Sequence, residues 1–275
     1  MTYSESVIPV SGDMSLFVAQ TSGHRPLLVI HGGPDWDHSY LRSPVDRLAM
    51  RVVLPDLRGC GRSAKAAEYT PDLAVGDLLG LLDALNIEQA DLLGFSYGGM
   101  LGQRLTLAAP DRVRSLIVAS SSILPVLTNA FEGWTERDAL RAAESAVWES
   151  SLEGPELTRT AAFAGAPANV WQALPTYLRL LHEVRFSAEW IGPWRAGTLP
   201  PARPENALER LAALDIPILL LHGRYDMIFP ASLVSQVSFA RKVILDDAGH
   251  MAHVDQPRAW IAAVEEFLSC GFTAA

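Results

Sequence analysis

Short runs of Leu, Val and Ile punctuate the chain, and each run stops at a turn-forming residue such as Gly, Pro or Asp or at a run of serines. Within a run the apolar residues follow one another instead of alternating with polar ones. Such runs are typical of strands that are covered on both faces, as in a parallel sheet. The pattern predicts strands over residues 27–30, 51–54, 91–93, 116–119, 216–221 and 242–245.

Between these runs, apolar residues recur at helical spacing. Thr70 can cap a helix that has Pro71 at its first position, and the apolar residues that follow fall on one face. A second helix is expected to begin just after Ser96 and to end near Pro110, and a last amphipathic helix is expected over about 257–268. Strands that alternate with helices predict an open α/β sheet.

The alternation of strands and helices breaks after Ser122. Residues 123–205 carry helical patterns and five of the seven tryptophans, and strand character returns only at Ile216. The sheet elements on both sides of this segment need each other, so we interpret it as an inserted helical cap and not as a second independent domain. The predicted organisation is a core made of residues 1–122 and 206–275, with the cap at 123–205.

Composition and charge exclude several classes of protein. Hydrophobic residues make up 49% of the chain and charged residues 19%, which supplies a large core and rules out a disordered chain. The net charge of −9 makes nucleic acid an unexpected partner, because phosphate backbones are bound by basic surfaces. The apolar runs are much shorter than the ~18 residues that a membrane span needs, so we expect no membrane association.

The compartment and the need for cofactors follow from what the sequence lacks. The first residues show no secretory pattern. Cys60 and Cys270 lie far apart and without metal-ligand spacing, which favours two buried thiols in a reducing compartment over a disulfide. We therefore expect a cytoplasmic protein with no metal and no organic cofactor. The sequence leaves the oligomeric state open.

The strongest local signal is Gly94-Phe95-Ser96-Tyr97-Gly98, which follows a predicted strand and opens a predicted helix. This is the context of a nucleophile elbow, a turn so tight that the residues two before and two after the serine must be small. Gly94 and Gly98 meet that requirement, and the helix directs its positive end at the hydroxyl. We interpret Ser96 as a nucleophile. The alternative is a glycine-rich turn that lets a helix pack closely on the sheet.

A serine hydroxyl is a weak nucleophile and needs an adjacent base. Among seven histidines, His250 follows the last predicted strand, from which a loop can reach the same edge of the sheet as Ser96. Asp226 follows the penultimate strand and would accept the other imidazole N–H and hold the ring's tautomer. Asp246 and Asp247 compete for this role, but they are too near His250 in sequence to orient it from another strand.

The loop His31-Gly32-Gly33-Pro34 follows a predicted strand and suggests an oxyanion hole. A tetrahedral intermediate needs hydrogen-bond donors for its oxyanion. The backbone N–H of Tyr97 is one candidate donor. The backbone N–H of Gly33 is the other, because glycine lets the main chain come close to a substrate. A simple turn after a strand is the alternative for this loop.

Four motifs stand in order along the chain, namely HGGP, GFSYG, GRYD and GH. On this combination the chain resembles the α/β-hydrolase superfamily over essentially its whole length, and within it the proline iminopeptidases. The resemblance implies a mostly parallel eight-stranded sheet flanked by helices, with the cap over its carboxyl edge. It also implies a serine hydrolase that acts through an acyl-enzyme on a small molecule or a short peptide, and an aminopeptidase as the sharpest expectation.

The resemblance to the proline iminopeptidases departs from the family pattern at Asp35, where the HGGP loop continues with glycine in that family. Members of the family bind the free amino terminus of the substrate with glutamates from the cap. The glutamates of the cap that could take this role are Glu149 and Glu183. Trp148 and Trp190 are expected to bind substrate with their large apolar faces, and packing between cap helices is the alternative for these rings. An ordinary salt bridge within the cap is the alternative for each glutamate.

Two further functions fit the same sequence. The first is a carboxylesterase or lactonase of the same fold, because such enzymes share most of these motifs. The second is a non-catalytic binding protein that keeps the pocket and has lost the chemistry. The set of Ser96, Asp226 and His250 argues against the second function, since a binding protein has no need of a base and its orienting carboxylate.

Overall fold

The computed structural model describes residues 2–269, and eight strands among these residues form one sheet. The strands are β1 (Ser4–Ser11), β2 (Met14–Gln20), β3 (Pro26–Ile30), β4 (Arg51–Pro55), β5 (Ala90–Phe95), β6 (Val113–Ala119), β7 (Ile218–Gly223) and β8 (Arg241–Leu245). Their order across the sheet is β1-β2-β4-β3-β5-β6-β7-β8. The first two strands pair antiparallel and the other six run parallel to one another.

Twelve α-helices and two short 3₁₀ helices (Ser39–Leu41 and Pro110–Arg112) occur in the same part of the chain. The α-helices are α1 (Arg42–Val45), α2 (Pro71–Ala84), α3 (Tyr97–Ala108), α4 (Thr135–Trp148), α5 (Gly154–Ala164), α6 (Ala166–Asn169), α7 (Leu174–Glu183), α8 (Ile191–Arg195), α9 (Ala207–Ala212), α10 (Ser232–Ser235), α11 (Ala252–Asp255) and α12 (Pro257–Ser269). None of them is long and apolar enough to cross a membrane.

The six strands predicted from apolar runs are all present, with ends that differ by a few residues. The predicted cap of α2 is also confirmed, since the Thr70 hydroxyl accepts a hydrogen bond from the Leu73 N–H at 3.2 Å. The pattern missed β1 and β2. The first is a largely exposed edge strand, and the apolar run of the second ends at Gln20 and not at a turn residue.

Consecutive residues of each parallel strand point to opposite faces, and each face carries its own core. In β3, Leu27 and Val29 pack in the same cluster as Trp260 of α12, whereas Leu28 and Ile30 pack with Leu101 of α3. The sheet is therefore covered on both sides, which explains why its strands read as continuous apolar runs.

The register of the parallel strands brings their carboxyl ends to one edge. Ile30 lies opposite Gly94, Ala119 lies opposite both Phe95 and Leu221, and Gly223 lies opposite Leu245. The loops that follow β3, β5, β7 and β8 therefore meet at this edge. In α/β sheets, ligands bind outside the carboxyl ends of the strands.

Residues 123–205 contain the helices α4 to α8 and no strand, and we call this segment the cap. Its helical character is as the sequence predicts. The division into a core of 1–122 and 206–275 and a separate cap stays a prediction. Cys60 is buried with a free thiol, and Cys270 lies outside the described residues.

At the amino-terminal ends of the parallel strands, opposite the carboxyl edge, lies Asp91, a fully buried residue near the start of β5. Its carboxylate accepts hydrogen bonds from Arg25 Nε at 2.6 Å and Ser115 Oγ at 2.7 Å, and Arg25 also donates to the Leu268 carbonyl of α12. These bonds tie β5 to the strand beside it and to the last helix.

We expect Asp91→Ala to lower the free energy of unfolding by about 1–3 kcal/mol, because buried Ser115 loses its acceptor. The kcat of the folded variant should not change, since Asp91 lies far from the carboxyl edge. Denaturant unfolding measures the first effect. Asp72→Ala is the matched control, because Asp72 pairs with Arg104 at the surface, where such pairs contribute about 0–1 kcal/mol. Equal losses in the two variants would contradict the prediction.

Candidate active site

Ser96 occupies a tight turn between β5 and α3. Its φ of 53° is a left-handed backbone angle that residues other than glycine seldom adopt. The flanking glycines make the turn possible. A Cβ atom on Gly94 would lie 2.3 Å from the Gly98 carbonyl oxygen, and one on Gly98 would lie 2.1 Å from the Ile30 carbonyl oxygen. Close backbone contacts therefore leave no room for a side chain at either position, which is why both residues are glycine.

The structure brings the side chains of Ser96, His250 and Asp226 together. Ser96 Oγ lies 3.1 Å from His250 Nε2, and His250 Nδ1 lies 2.9 Å from Asp226 Oδ2. Both distances are those of hydrogen bonds. His250 follows β8 and Asp226 follows β7, as expected from the sequence, and both residues are buried. Asp246 and Asp247 are exposed, and Asp246 pairs with Arg224 instead.

Asp226 is held as an anion by its surroundings. Burial alone would raise the pKa of this carboxyl, but the imidazoles of His250 and His222 and the Phe229 N–H outweigh burial and lower the pKa below its ordinary value. An ionised carboxylate can only accept hydrogen bonds, so the proton between the two side chains lies on His250 Nδ1. In the neutral imidazole with its proton on Nδ1, Nε2 is an acceptor for the hydroxyl hydrogen of Ser96.

Two backbone N–H groups near Ser96 have no hydrogen-bond partner among residues 2–269. They belong to Gly33 and to Tyr97, the first residue of α3. The neighbouring Gly32 N–H differs, because it donates to the Tyr40 hydroxyl at 2.8 Å. A Cβ on Gly32 would lie 2.9 Å from Ser96 Cβ, so glycine lets this loop lie directly against the serine.

A cavity of about 520 Å³ separates Ser96 from the cap. Most of its lining is apolar, and it includes the predicted residues Trp148 and Trp190. Trp190 is fully buried and donates its indole N–H to the Arg58 carbonyl at 2.9 Å. Trp148 packs against the half-exposed Trp194, with ring centroids 5.7 Å apart. The other aromatic residues of the lining are Trp36, Tyr40, Phe95 and Tyr97.

The structure places neither Glu149 nor Glu183 at this cavity. Both are exposed, one just beyond the end of α4 and the other at the end of α7. The cap carboxylate in the cavity wall is Glu144. It pairs with Arg141 and accepts the indole N–H of Trp148 at 3.3 Å. The sequence held a signal for it, since Glu144 and Trp148 are four residues apart and so share one face of the helix.

Asp35 supplies the other carboxylate of the lining. It is buried, and it accepts the backbone N–H groups of Trp190 at 3.1 Å and Ile191 at 2.9 Å. Burial raises the pKa of this carboxyl to about 6, although the backbone N–H groups of residues 189–191 act in the opposite direction. The sequence marked Asp35 as a departure from the family pattern but did not indicate these partners.

Sequence reasoning also missed Asp255, which lies five residues after His250. Its two oxygens accept four backbone N–H groups, one from Gly249 at 2.9 Å and three from the cap segment 171–173 at 2.8–3.0 Å. The Met251 N–H donates to the Asn169 carbonyl at 2.7 Å beside them. The segment that follows His250 is thus bonded to the cap through Met251 and Asp255, and Asp255 also holds the Gly249 N–H that precedes the histidine.

We expect Asp255→Asn to lower kcat on an activated ester by about 10-fold or more, because small displacements of a catalytic group have large effects on rate. The Asn side chain would keep one acceptor oxygen, but its NH₂ group would face backbone N–H groups that in the wild type donate to the second oxygen of Asp255. Steady-state kinetics measure the effect. Asp246→Asn is the control, since it changes an exposed aspartate at a similar distance from His250 in sequence. An unchanged kcat in Asp255→Asn would contradict a positioning role.

A second prediction concerns stability and pH. The pKa of Asp35 is about 6 in the folded protein against an ordinary value of 3.8, so the folded state binds the proton more tightly than the unfolded chain. The stabilisation from this proton is complete at low pH and is lost as the pH rises through about 6. The variant Asp35→Asn has no such titration. The unfolding free energy of the wild type relative to Asp35→Asn should therefore fall by about 3 kcal/mol between pH 3 and pH 7. Denaturant titrations at several pH values test this, and a difference that is independent of pH would refute it.

Comparison with known proteins places the chain in a family. A family model described as "alpha/beta hydrolase fold" matches residues 25–257. A 2-hydroxymuconate semialdehyde hydrolase of Pseudomonas sp. (strain CF600) is 29% identical over 89% of this chain and 87% of its own length. A proline iminopeptidase of Levilactobacillus brevis is 29% identical over 89% and 88%. The solved structure of a proline iminopeptidase-related protein from Thermus thermophilus covers 98% of both chains, with 25% identity and a TM-score of 0.73. Relatives that are named as hydrolases and peptidases support hydrolase activity for this chain, which belongs to the α/β-hydrolase fold family.

Proposed function

We propose that the protein is a serine hydrolase that cleaves small, uncharged esters through an acyl-enzyme on Ser96. The observation that carries the proposal is the hydrogen-bonded chain of Ser96, His250 and Asp226 at the floor of a mostly apolar cavity. A cavity with a few placed polar groups in an apolar lining is the usual form of a small-molecule site.

The proposed reaction has two halves. In the first, Ser96 Oγ attacks the ester carbonyl while His250 Nε2 takes its proton, and His250 then gives this proton to the leaving alcohol. The N–H groups of Gly33 and Tyr97 stabilise the oxyanion. In the second half, His250 deprotonates a water molecule that attacks the acyl-enzyme and releases the acid. Asp226 holds the imidazole tautomer and stabilises the imidazolium in both halves.

The charges of the cavity favour an uncharged substrate over a peptide amino terminus. An ammonium group needs a carboxylate that is not already engaged. Glu144 is paired with Arg141, and both oxygens of Asp35 accept backbone N–H groups. Binding an ammonium group would break these bonds, whereas an ester or a lactone needs no countercharge. Carboxylesterase or lactonase activity is therefore the better supported alternative.

An aminopeptidase is the second candidate, and one observation favours it. Glu144 lies in the cavity wall, so a substrate ammonium group could take the place of the Arg141 guanidinium beside it. The proline iminopeptidase among the relatives agrees with this candidate. The two candidates differ in whether a positive charge on the substrate improves turnover.

We test this difference with substrates that vary in one atom. The pair is proline 4-nitroanilide and cyclopentanecarboxylic acid 4-nitroanilide, measured beside the 4-nitrophenyl ester of cyclopentanecarboxylic acid and a simple lactone. We expect the ester to be the best substrate and the ring nitrogen of proline to give no gain. A strong preference for the proline compound, lost in Glu144→Gln, would establish the aminopeptidase instead.

The nucleophile is tested in the same series. We expect Ser96→Ala to lower kcat by about 10⁴-fold or more without changing the unfolding curve, because the hydroxyl is the only group removed. A fluorophosphonate should label the wild type and not the variant. A wild type that is neither labelled nor active would favour a non-catalytic binding protein. A Ser96→Ala variant that is still active would mean that another residue is the nucleophile.

A further inference from the structure

Asp35 stands in the proposed oxyanion loop, two residues after Gly33, and the reaction described above does not use it. Its φ of 70° lies in the left-handed region that favours glycine. Among residues other than glycine, aspartate is one of those that adopt this conformation most often. The Asp35 carboxylate is buried, and a buried carboxylate needs hydrogen-bond partners, so what matters is where the partners of Asp35 lie.

Three hydrogen bonds join Asp35 to the cap. The carboxylate accepts the N–H groups of Trp190 and Ile191 at the start of α8, and the backbone carbonyl accepts the Ser187 N–H at 2.8 Å. The first N–H groups of a helix have no partner within the helix, and the Asp35 carboxyl supplies the acceptors that these two groups would otherwise lack. Residue 35 is therefore the point at which the loop after β3 is bonded to residues 187–191.

Residues 187–191 in turn form part of the substrate cavity. Trp190 is fully buried in the cavity wall, and its ring meets the edge of Tyr97 at a centroid distance of 5.8 Å. The Ser187 carbonyl accepts the Thr158 hydroxyl at 2.6 Å, and the Ser187 hydroxyl accepts the Gly61 N–H at 3.2 Å. A displacement of this stretch would move a wall of the cavity and the residue that follows the nucleophile.

We propose that Asp35 is a positioning residue for the proposed hydrolase reaction. Its carboxylate fixes the start of α8 to the oxyanion loop, and this bond holds the Gly33 N–H and the Trp190 wall in one geometry around Ser96. The inference rests on the proposed function, because it assigns Gly33 to the oxyanion. It predicts that loss of the carboxylate raises the free energy of the transition state more than it weakens substrate binding, so that kcat falls and KM changes less.

The carboxylate does not serve as an anchor for a substrate ammonium group in this proposal. Each of its oxygens already accepts a backbone N–H. If Asp35 were such an anchor, its removal would weaken only positively charged substrates. If it positions the oxyanion loop, its removal slows every substrate that forms a tetrahedral intermediate, whether or not the substrate is charged.

The decisive variant is Asp35→Gly, because glycine suits the backbone angle and removes the carboxylate. We expect kcat on the cyclopentanecarboxylate ester to fall about 10- to 100-fold with a smaller change in KM. Fluorophosphonate labelling should slow by a similar factor and still reach completion. Asp35→Asn keeps one acceptor oxygen and should lie between the wild type and Asp35→Gly.

Asp37→Asn is the matched control. Asp37 is equally buried and lies in the same loop, but its hydrogen bonds run to Ser39 and not to the cap. We expect its kcat to stay within about 3-fold of the wild type, because no contact between loop and cap is lost. If Asp35→Gly fails to fold, the comparison of Asp35→Asn with Asp37→Asn carries the same test.

Three results would overturn the proposal. They are a folded Asp35→Gly with the kcat of the wild type, a loss confined to positively charged substrates, and equal losses in Asp35→Asn and Asp37→Asn. Failure of the proposed function itself is recognised separately, because the wild type would then neither react with the fluorophosphonate nor turn over any ester before a variant is compared.

Discussion

The left-handed backbone at Ser96 is the constraint around which the carboxyl edge of the sheet is arranged. Such a conformation costs about 1–3 kcal/mol and persists only where its surroundings enforce it. Here the Ser96 N–H donates to the Ala119 carbonyl, and Gly98 lies against the carbonyl of Ile30. Three adjacent strands thus hold the turn in place. The loop after β3 can approach the serine so closely because residue 32 is a glycine.

A second theme is how the cap is joined to the core. Asp35 and Asp255 each accept backbone N–H groups of the cap with a single carboxylate, the first from the loop after β3 and the second from the end of α11. The loop proposed to carry an oxyanion donor is therefore attached to the cap at residues 187–191, and the segment after His250 is attached to it at residues 169–173. This arrangement couples the shape of the cavity to the geometry of the reacting groups.

Much of the fold could be predicted because its signals are local. The continuous apolar runs report burial on both faces of the sheet, and the glycines around Ser96 report a turn whose tightness is fixed by neighbouring backbone atoms. The alignment of Ser96, Asp226 and His250 followed from the rule that parallel strands end at one edge. The edge strand β1 left no such signal, since its side chains face water.

The cap side of the site resisted prediction for a physical reason. Whether a glutamate of α4 faces the cavity depends on the rotation of the helix against the core, and no residue of this helix is fully buried to reveal that rotation. From the sequence Glu149 is the candidate, whereas the packing of the helix places Glu144 in the cavity wall. Asp255 is bonded to a residue 84 positions away in the sequence, and Asp35 to one 155 positions away. Local sequence patterns carry no information about contacts over such separations.

The position of the cap within the chain has a consequence for how the protein folds. Ser96 and His250 meet across 154 residues, and β7 must pair with β6 on the far side of the whole cap. Contacts between such distant parts of a chain are slow to form, because the intervening loop must close first. Helices can appear early, but the three side chains come together only when the last parallel strands have docked. The proposed hydrolase activity is thus a probe of complete long-range order, because it requires the docking of strands from both sides of the cap.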